Sequence, residues 1–217
     1  MKKKTKNKII YVFLPILFVM ALIVYLIVDS SSMNKPYTEV TSSALKQEDP
    51  KVTMIFSISC PHCYRMDRVL ENWSSNKKHI DIEFIPATGS GWTDEARLFY
   101  TIKEVAGIRY KKIFQSVFDS YHSPQSTMKT FQDKIKYIAS MVNTTPEKVM
   151  SIYKKSKNVE KNIEKSSQIM SDYNVRSVPQ IIVNGKYKIN QKYFSSFEEV
   201  FNQIEYLLRN ENKKVDN

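Results

Sequence analysis

Cys60 and Cys63 are the only cysteines among 217 residues, and only Pro61 and His62 separate them. An apolar, β-leaning run from Val52 to Ile58 leads into the pair. An amphipathic pattern follows it, carried by Tyr64, Met66, Val69, Leu70 and Trp73. A strand running into a helix places the pair on the first helical turn, where positions i and i+3 share a face and two sulfurs can close a small ring. The unpaired N–H groups and positive dipole end of that turn favour an anion at Cys60. Pro61 suits the first helical position, since its missing N–H would have no partner there. His62 adds a donor, and a positive charge when protonated, beside the sulfur. The pattern predicts a reactive dithiol, with Cys60 and Cys63 as a redox-active disulfide. A purely structural bridge usually closes a longer loop, because stabilisation grows with the loop enclosed. Zinc would need His79 and His122 as further ligands, at a spacing that matches no finger pattern and without a second cysteine pair. No metal and no cofactor is expected.

The N-terminus sets the compartment. Residues 1–8 carry five lysines and no acid, and residues 9–28 are twenty residues without a charge. As a helix that run spans about 30 Å, one hydrocarbon core. Lysines on its leading side hold the N-terminus in the cytoplasm and send the rest out. The expectation is a single transmembrane anchor in the cytoplasmic membrane, with the catalytic domain on the periplasmic or extracellular side. The alternative is a cleaved signal and a soluble periplasmic or secreted domain, but twenty apolar residues exceed the usual run of about 7–15. Both readings put the cysteines where disulfide chemistry belongs.

Residues 29–49 are polar and read as a tether. About 170 residues then remain, enough for one domain with its own core. Without residues 1–30, which hold five lysines and one aspartate, 28 basic and 21 acidic residues are left, a net charge of +7. The lysines alternate with glutamates on helical patterns, as from Lys154 to Lys165, the look of a solvated face. No basic stripe interleaves with aromatics, so no nucleic acid partner is expected.

Val52–Ile58 reads as a buried strand, Cys63 to about Asn76 as a helix, and Ile80–Pro86, with period two, as a second strand. A strand, helix and strand this close imply a parallel pair with a right-handed crossover. About eighty helical residues follow. Thr93 caps a helix through Leu98, Ile102 and Val105 that Gly107 ends. Phe131, Ile135, Ile138 and Val142 share a face of another. Pro146 opens a third, and a last stretch carries Val159, Ile163, Ile169, Met170 and Tyr173. After them Val178–Val183 is a strand opened by Pro179, Asn184-Gly185 a hairpin turn, and Lys186–Ile189 the returning strand. A capping box from Ser195 to Glu198 starts the final helix.

A pair of this spacing at the strand-to-helix turn of a βαβ unit is the thioredoxin-like redox pattern. The chain resembles the exported DsbA-type thiol-disulfide oxidoreductases. Phe56-Ser57 before Cys60-Pro61-His62-Cys63, and Val178-Pro179 with Ile182-Val183-Asn184-Gly185-Lys186-Tyr187 after it, carry the resemblance. It implies an α/β, thioredoxin-like domain over residues 50–210, with a large helical insertion about 88–174 and a polar tail at 211–217. It also implies Cys60 as exposed nucleophile, Cys63 as buried partner, and Pro179 as a cis-proline facing the disulfide. Val178 beside it would offer its backbone to an extended substrate. One position departs: the family often keeps a buried acid on the first strand, to move the proton of the buried thiol, where this chain has Met54. The function implied is disulfide donation to folding exported proteins by a monomer, with a quinone-linked membrane protein as reoxidant. A reductase or isomerase would use the same cysteines. However, membrane-anchored reductases of this type commonly carry Trp where Ser59 stands, and no separate dimerisation domain is visible. A peptide-binding holdase with incidental cysteines is the reading of another class.

Overall fold

The computed structural model describes residues 19–21, 35–42, 44–45, 51–77, 80–89 and 91–215. The chain divides into two compact units, residues 1–36 and 37–217. Of the expected anchor over residues 9–28, only 19–21 are described, as helical and exposed; the rest lies outside the described residues. Among the described residues no helix is long and apolar enough to cross a membrane.

The second unit is built on a five-stranded sheet. In chain order its strands are β1 (Tyr37–Glu39), β2 (Lys51–Phe56), β3 (Asp81–Pro86), β4 (Gln180–Val183) and β5 (Tyr187–Ile189), and they lie in the order β1-β5-β4-β2-β3. β2 and β3 run parallel in register from Lys51 opposite Asp81 to Phe56 opposite Pro86. The helix between them, α1 (Pro61–Ser74), makes the crossover, as the close succession of strand, helix and strand predicts. β4 pairs antiparallel with β2, and β5 with β4. The β4–β5 turn has Asn184 at φ 51° and Gly185 at φ 60°, the doubly left-handed backbone that suits Asn-Gly. β1 corrects the reading of residues 29–49 as tether throughout. Tyr37–Glu39 pairs antiparallel with β5, and the Tyr37 ring meets Tyr187 edge-on at 5.3 Å.

Between β3 and β4 stand five helices, α2 (Thr93–Ala106), α3 (Tyr110–His122), α4 (Phe131–Met141), α5 (Pro146–Lys155) and α6 (Lys157–Asp172). The sequence reading assigns no helix between Gly107 and Phe131, yet Ile113, Phe114, Val117 and Phe118 form the buried stripe of α3. Thr93 does not cap α2. Trp92 holds the cap position, while the Thr93 hydroxyl donates to the Gly89 carbonyl at 3.1 Å. Gly107, at φ 53°, ends that helix as expected. The last helix, α7 (Phe197–Val215), starts one residue later than the box over Ser195–Glu198 requires. Glu199 N–H donates to Ser196 Oγ, and the Glu199 carboxylate accepts from Ser195.

The alternation along β2 sorts the core. Val52, Met54 and Phe56 face α1, α7 and the helical block, whereas Ile55 joins Ile169, Tyr173 and Ile182 on the other face. Phe56 is the hub of the first face, with the rings of Phe84, Phe99, Phe114 and Phe118 all within 6 Å of its own. The contacts with Phe84, Phe99 and Phe114 are edge-on and that with Phe118 is tilted. Such an aromatic pair adds about 0.5–1.5 kcal/mol to the effect of the area buried. The cluster therefore ties the strand leading into the cysteines to both α2 and α3.

On α1 the buried face includes one acid, Asp67. It borders a cleft of about 590 Å³ between α1, β3 and α3, away from the cysteines. Among the described residues its Oδ2 has no hydrogen-bond partner. Burial pushes this carboxyl up to about 6, partly offset by a bond from Gln115 and reinforced by Glu71. Since the folded state holds this proton more tightly than the unfolded chain, charging Asp67 opposes folding. That cost is absent below the ordinary value of 3.8 and grows as pH rises through about 6. Asp67→Asn should therefore be on the order of 2–3 kcal/mol more stable than wild type at neutral pH and equal to it near the ordinary carboxylate range. Urea titrations at the two pH values measure this, and a constant difference between the proteins would be the contrary result.

Candidate active site

Cys60 occupies the cap position of α1 with extended backbone (φ −80°, ψ 115°), and Pro61 follows at the first helical position. No side chain caps the helix start. Its first backbone bond runs from Tyr64 N–H to the Cys60 carbonyl at 3.0 Å. The first turn that follows carries the chain from the half-buried Cys60 to Cys63 in the core. Cys60 is half-buried and Cys63 is 0 % exposed, and both are free thiols. Burial pushes the Cys63 thiol far above the ordinary cysteine range; the Ser57 N–H, 3.5 Å from its sulfur, offsets part of the rise, and Cys60 and Glu95 add to it.

The other half of the sequence pattern arrives from β4. The Val178–Pro179 peptide is cis, and the Cys60 Sγ lies 3.9 Å from the Val178 carbonyl. The Pro179 carbonyl is engaged by Gln191 Nε2 at 2.9 Å. Thus Cys60, Cys63, Val178 and Pro179, from two segments 118 residues apart, meet at one end of the sheet. His62 is exposed, and its Nδ1 is 2.8 Å from the Arg65 guanidinium. An arginine can only donate, so Nδ1 accepts and the ring proton sits on Nε2. The partner of His62 is therefore an arginine one turn on, where the sequence suggested the sulfur.

Two further residues, both from the helical block, hold the loop before Cys60. Glu95, in the first turn of α2, accepts the Ser57 hydroxyl at 2.6 Å and the Ser59 N–H at 3.4 Å. His122, at the end of α3, has Nε2 2.8 Å from the Ile58 carbonyl, and its ring stacks on Tyr64 at 4.5 Å. From sequence His122 is only a candidate metal ligand beside His79, and His79 lies outside the described residues. Nothing in the local pattern marks either residue. Glu95 reads as an ordinary acid in a first helical turn, and Ser57 as the end of a strand.

No protein-family model matches the chain. Among curated proteins it is similar to the thiol:disulfide interchange protein DsbA of Pseudomonas aeruginosa, 27% identical over 188 residues, 84% of this chain and 87% of that protein. The crystal structure of Pseudomonas aeruginosa DsbA superposes with a TM-score of 0.68 at 24% identity, covering 84% of this chain and 95% of that one. A Proteus mirabilis DsbA solved with a non-covalently bound peptide superposes with a TM-score of 0.60 at 18% identity, covering 81% and 97%. The solved structures share the fold, and the similarity to the curated relative extends over 84% of this chain. The chain is a DsbA-like thiol-disulfide oxidoreductase with the thioredoxin-like fold.

Proposed function

We propose that this protein donates the Cys60–Cys63 disulfide to proteins folding outside the cytoplasm. The observation that carries the reading is the unequal burial of the two sulfurs, with the accessible one beside the Val178 carbonyl. A substrate thiolate attacks the Cys60 sulfur, the S–S bond breaks, and Cys63 leaves with the electron pair and takes up a proton. A second substrate thiolate then attacks the substrate sulfur of the mixed disulfide and expels Cys60. The substrate is oxidised by two electrons and the enzyme is left as the dithiol. A quinone-linked membrane protein is the reoxidant we assign, on the strength of the family resemblance. The extended substrate lies along Val178 and Pro179, as an added strand would. The peptide held by the Proteus mirabilis relative is consistent with a site of this kind. The protein acts as a monomer, tethered through residues 9–28, whose charge-free run behind five lysines supports an anchor.

Direction is tested by equilibrating the cysteine pair with a glutathione buffer. A donor lies well on the oxidising side of glutathione, about 30 mV corresponding to 1.4 kcal/mol of bias; a value on the reducing side would instead make the protein a reductase. The division of roles is tested by trapping. Cys63→Ala should accumulate substrate complexes linked through Cys60, since no internal thiol can release them, and Cys60→Ala should accumulate few. Equal trapping by the two variants would reverse or erase the assignment. For the anchor, carbonate washing should leave the full chain in the membrane pellet with residues beyond 30 open to protease from the outer face. Release of a shortened soluble form would mean signal cleavage.

A further inference from the structure

We propose that, from the helical block, the Glu95 carboxylate, held in place by Ser57, adds to the bias of Cys63 toward its thiol form. The inference rests on the exchange roles given above to the two cysteines. β2 itself offers Cys63 no acid: Met54 and Phe56, the residues that share its core, are apolar and 0 % exposed. Ser57, 2 % exposed, is the link instead. Its N–H points at the Cys63 sulfur at 3.5 Å, and its hydroxyl donates to Glu95 Oε2 at 2.6 Å. The Ser59 N–H holds the same oxygen at 3.4 Å. The residue whose N–H faces the 0 % exposed Cys63 sulfur thus also holds a carboxylate.

The consequence is chemical. When a substrate thiolate opens the disulfide, Cys63 emerges as a thiolate in a site that penalises charge by burial and, through Glu95, by repulsion. It takes a proton. As a thiol, Cys63 is a poor nucleophile toward the Cys60–substrate disulfide, so the covalent complex lasts until a second substrate thiol resolves it. Glu95 touches no substrate; it is a positioning residue that biases the mixed disulfide toward donation and away from internal reversal. The other titratable groups about the site are accounted for. Cys60 shares the turn with Cys63, and His62 pairs with Arg65. From α3, His122 holds the Ile58 carbonyl, and Tyr121 stands in the field of Glu95. Asp67, one turn along α1, is set among Gln115, Glu71, Arg68 and Asp119.

The test uses the purified full chain loaded at Cys60 with glutathione as a mixed disulfide. Release of glutathione by Cys63 is followed across a range of pH. Glu95→Gln keeps an acceptor for Ser57 and Ser59 but removes the charge. Its release profile should move to lower pH, with release roughly three- to tenfold faster at neutral pH, since each unit of downward titration raises the thiolate fraction about tenfold. Glu95→Asp keeps the charge and should follow wild type. A Glu95→Gln profile identical to wild type would overturn the inference, as would an equal shift in Glu95→Asp, which would make the effect one of geometry. Wild type that releases no glutathione at any pH would overturn the exchange roles, and this inference with them.

Discussion

The phase of α1 relative to the end of β2 is the constraint on which the site depends. An α-helix turns about 100° per residue, so starting the helix at Pro61 leaves Cys60 at the surface and rotates Cys63 under it. A start displaced by one residue would swing Cys63 off the core face and present both sulfurs to water. Pro61 fixes that start from the sequence side. From the packing side, Met66 and Leu70 bury the same face of α1 as Cys63, and Arg68 reaches across to Asp119 on α3 at 2.5 Å. The chemical inequality of two identical residues is thus a matter of helical phase.

The helical block contributes more than coverage. Its helices α2 and α3 pack on β2 through the aromatic cluster around Phe56, and each offers one end to the loop between Phe56 and Cys60. Glu95 at the start of α2 takes the Ser57 hydroxyl, and His122 at the end of α3 takes the Ile58 carbonyl. A loop that a plain βαβ unit would leave to solvent is held from two sides. Holding it also fixes the Ser57 N–H against the Cys63 sulfur, the donor that offsets part of the cost of charging a buried thiol.

What could be read from the residues follows from range. The parallel β2–β3 pair, the crossover helix and the Asn184-Gly185 hairpin are local patterns, and they stand where periodicity and turn chemistry place them. Boundaries moved at the start of α7, where Ser195 and Ser196 compete for one role. They also moved at strand ends, where β2 stops at Phe56 rather than Ile58 and β4 starts at Gln180 rather than Val178. β1 was hidden because three residues flanked by polar chain carry no period; only its pairing with β5 makes Tyr37–Glu39 a strand. α3 lacks a start signal, since it leaves the short turn Gly107–Arg109 with Arg109 at its cap position and no side-chain capping bond. The cysteine pair announces itself by spacing alone, and the Val178-Pro179 dipeptide through resemblance.

Glu95 and His122 announce themselves by neither route. In sequence Glu95 stands 38 residues from the Ser57 hydroxyl it holds, and His122 64 residues from the Ile58 carbonyl. Each has an adequate local explanation, an acid complementing a helix N-terminus and a histidine near a helix C-terminus. A residue with a sufficient local reason gives no sign of a distant one. The contacts exist because the aromatic cluster fixes where α2 and α3 end, and that cluster is assembled from β2, β3, α2 and α3 together. Local pattern supplies the reactive group in this chain. The packing of the insertion supplies the groups that hold it, and differences between proteins sharing the same Cys-Pro-His-Cys stretch are therefore to be sought at the helix ends facing Ser57 and Ile58.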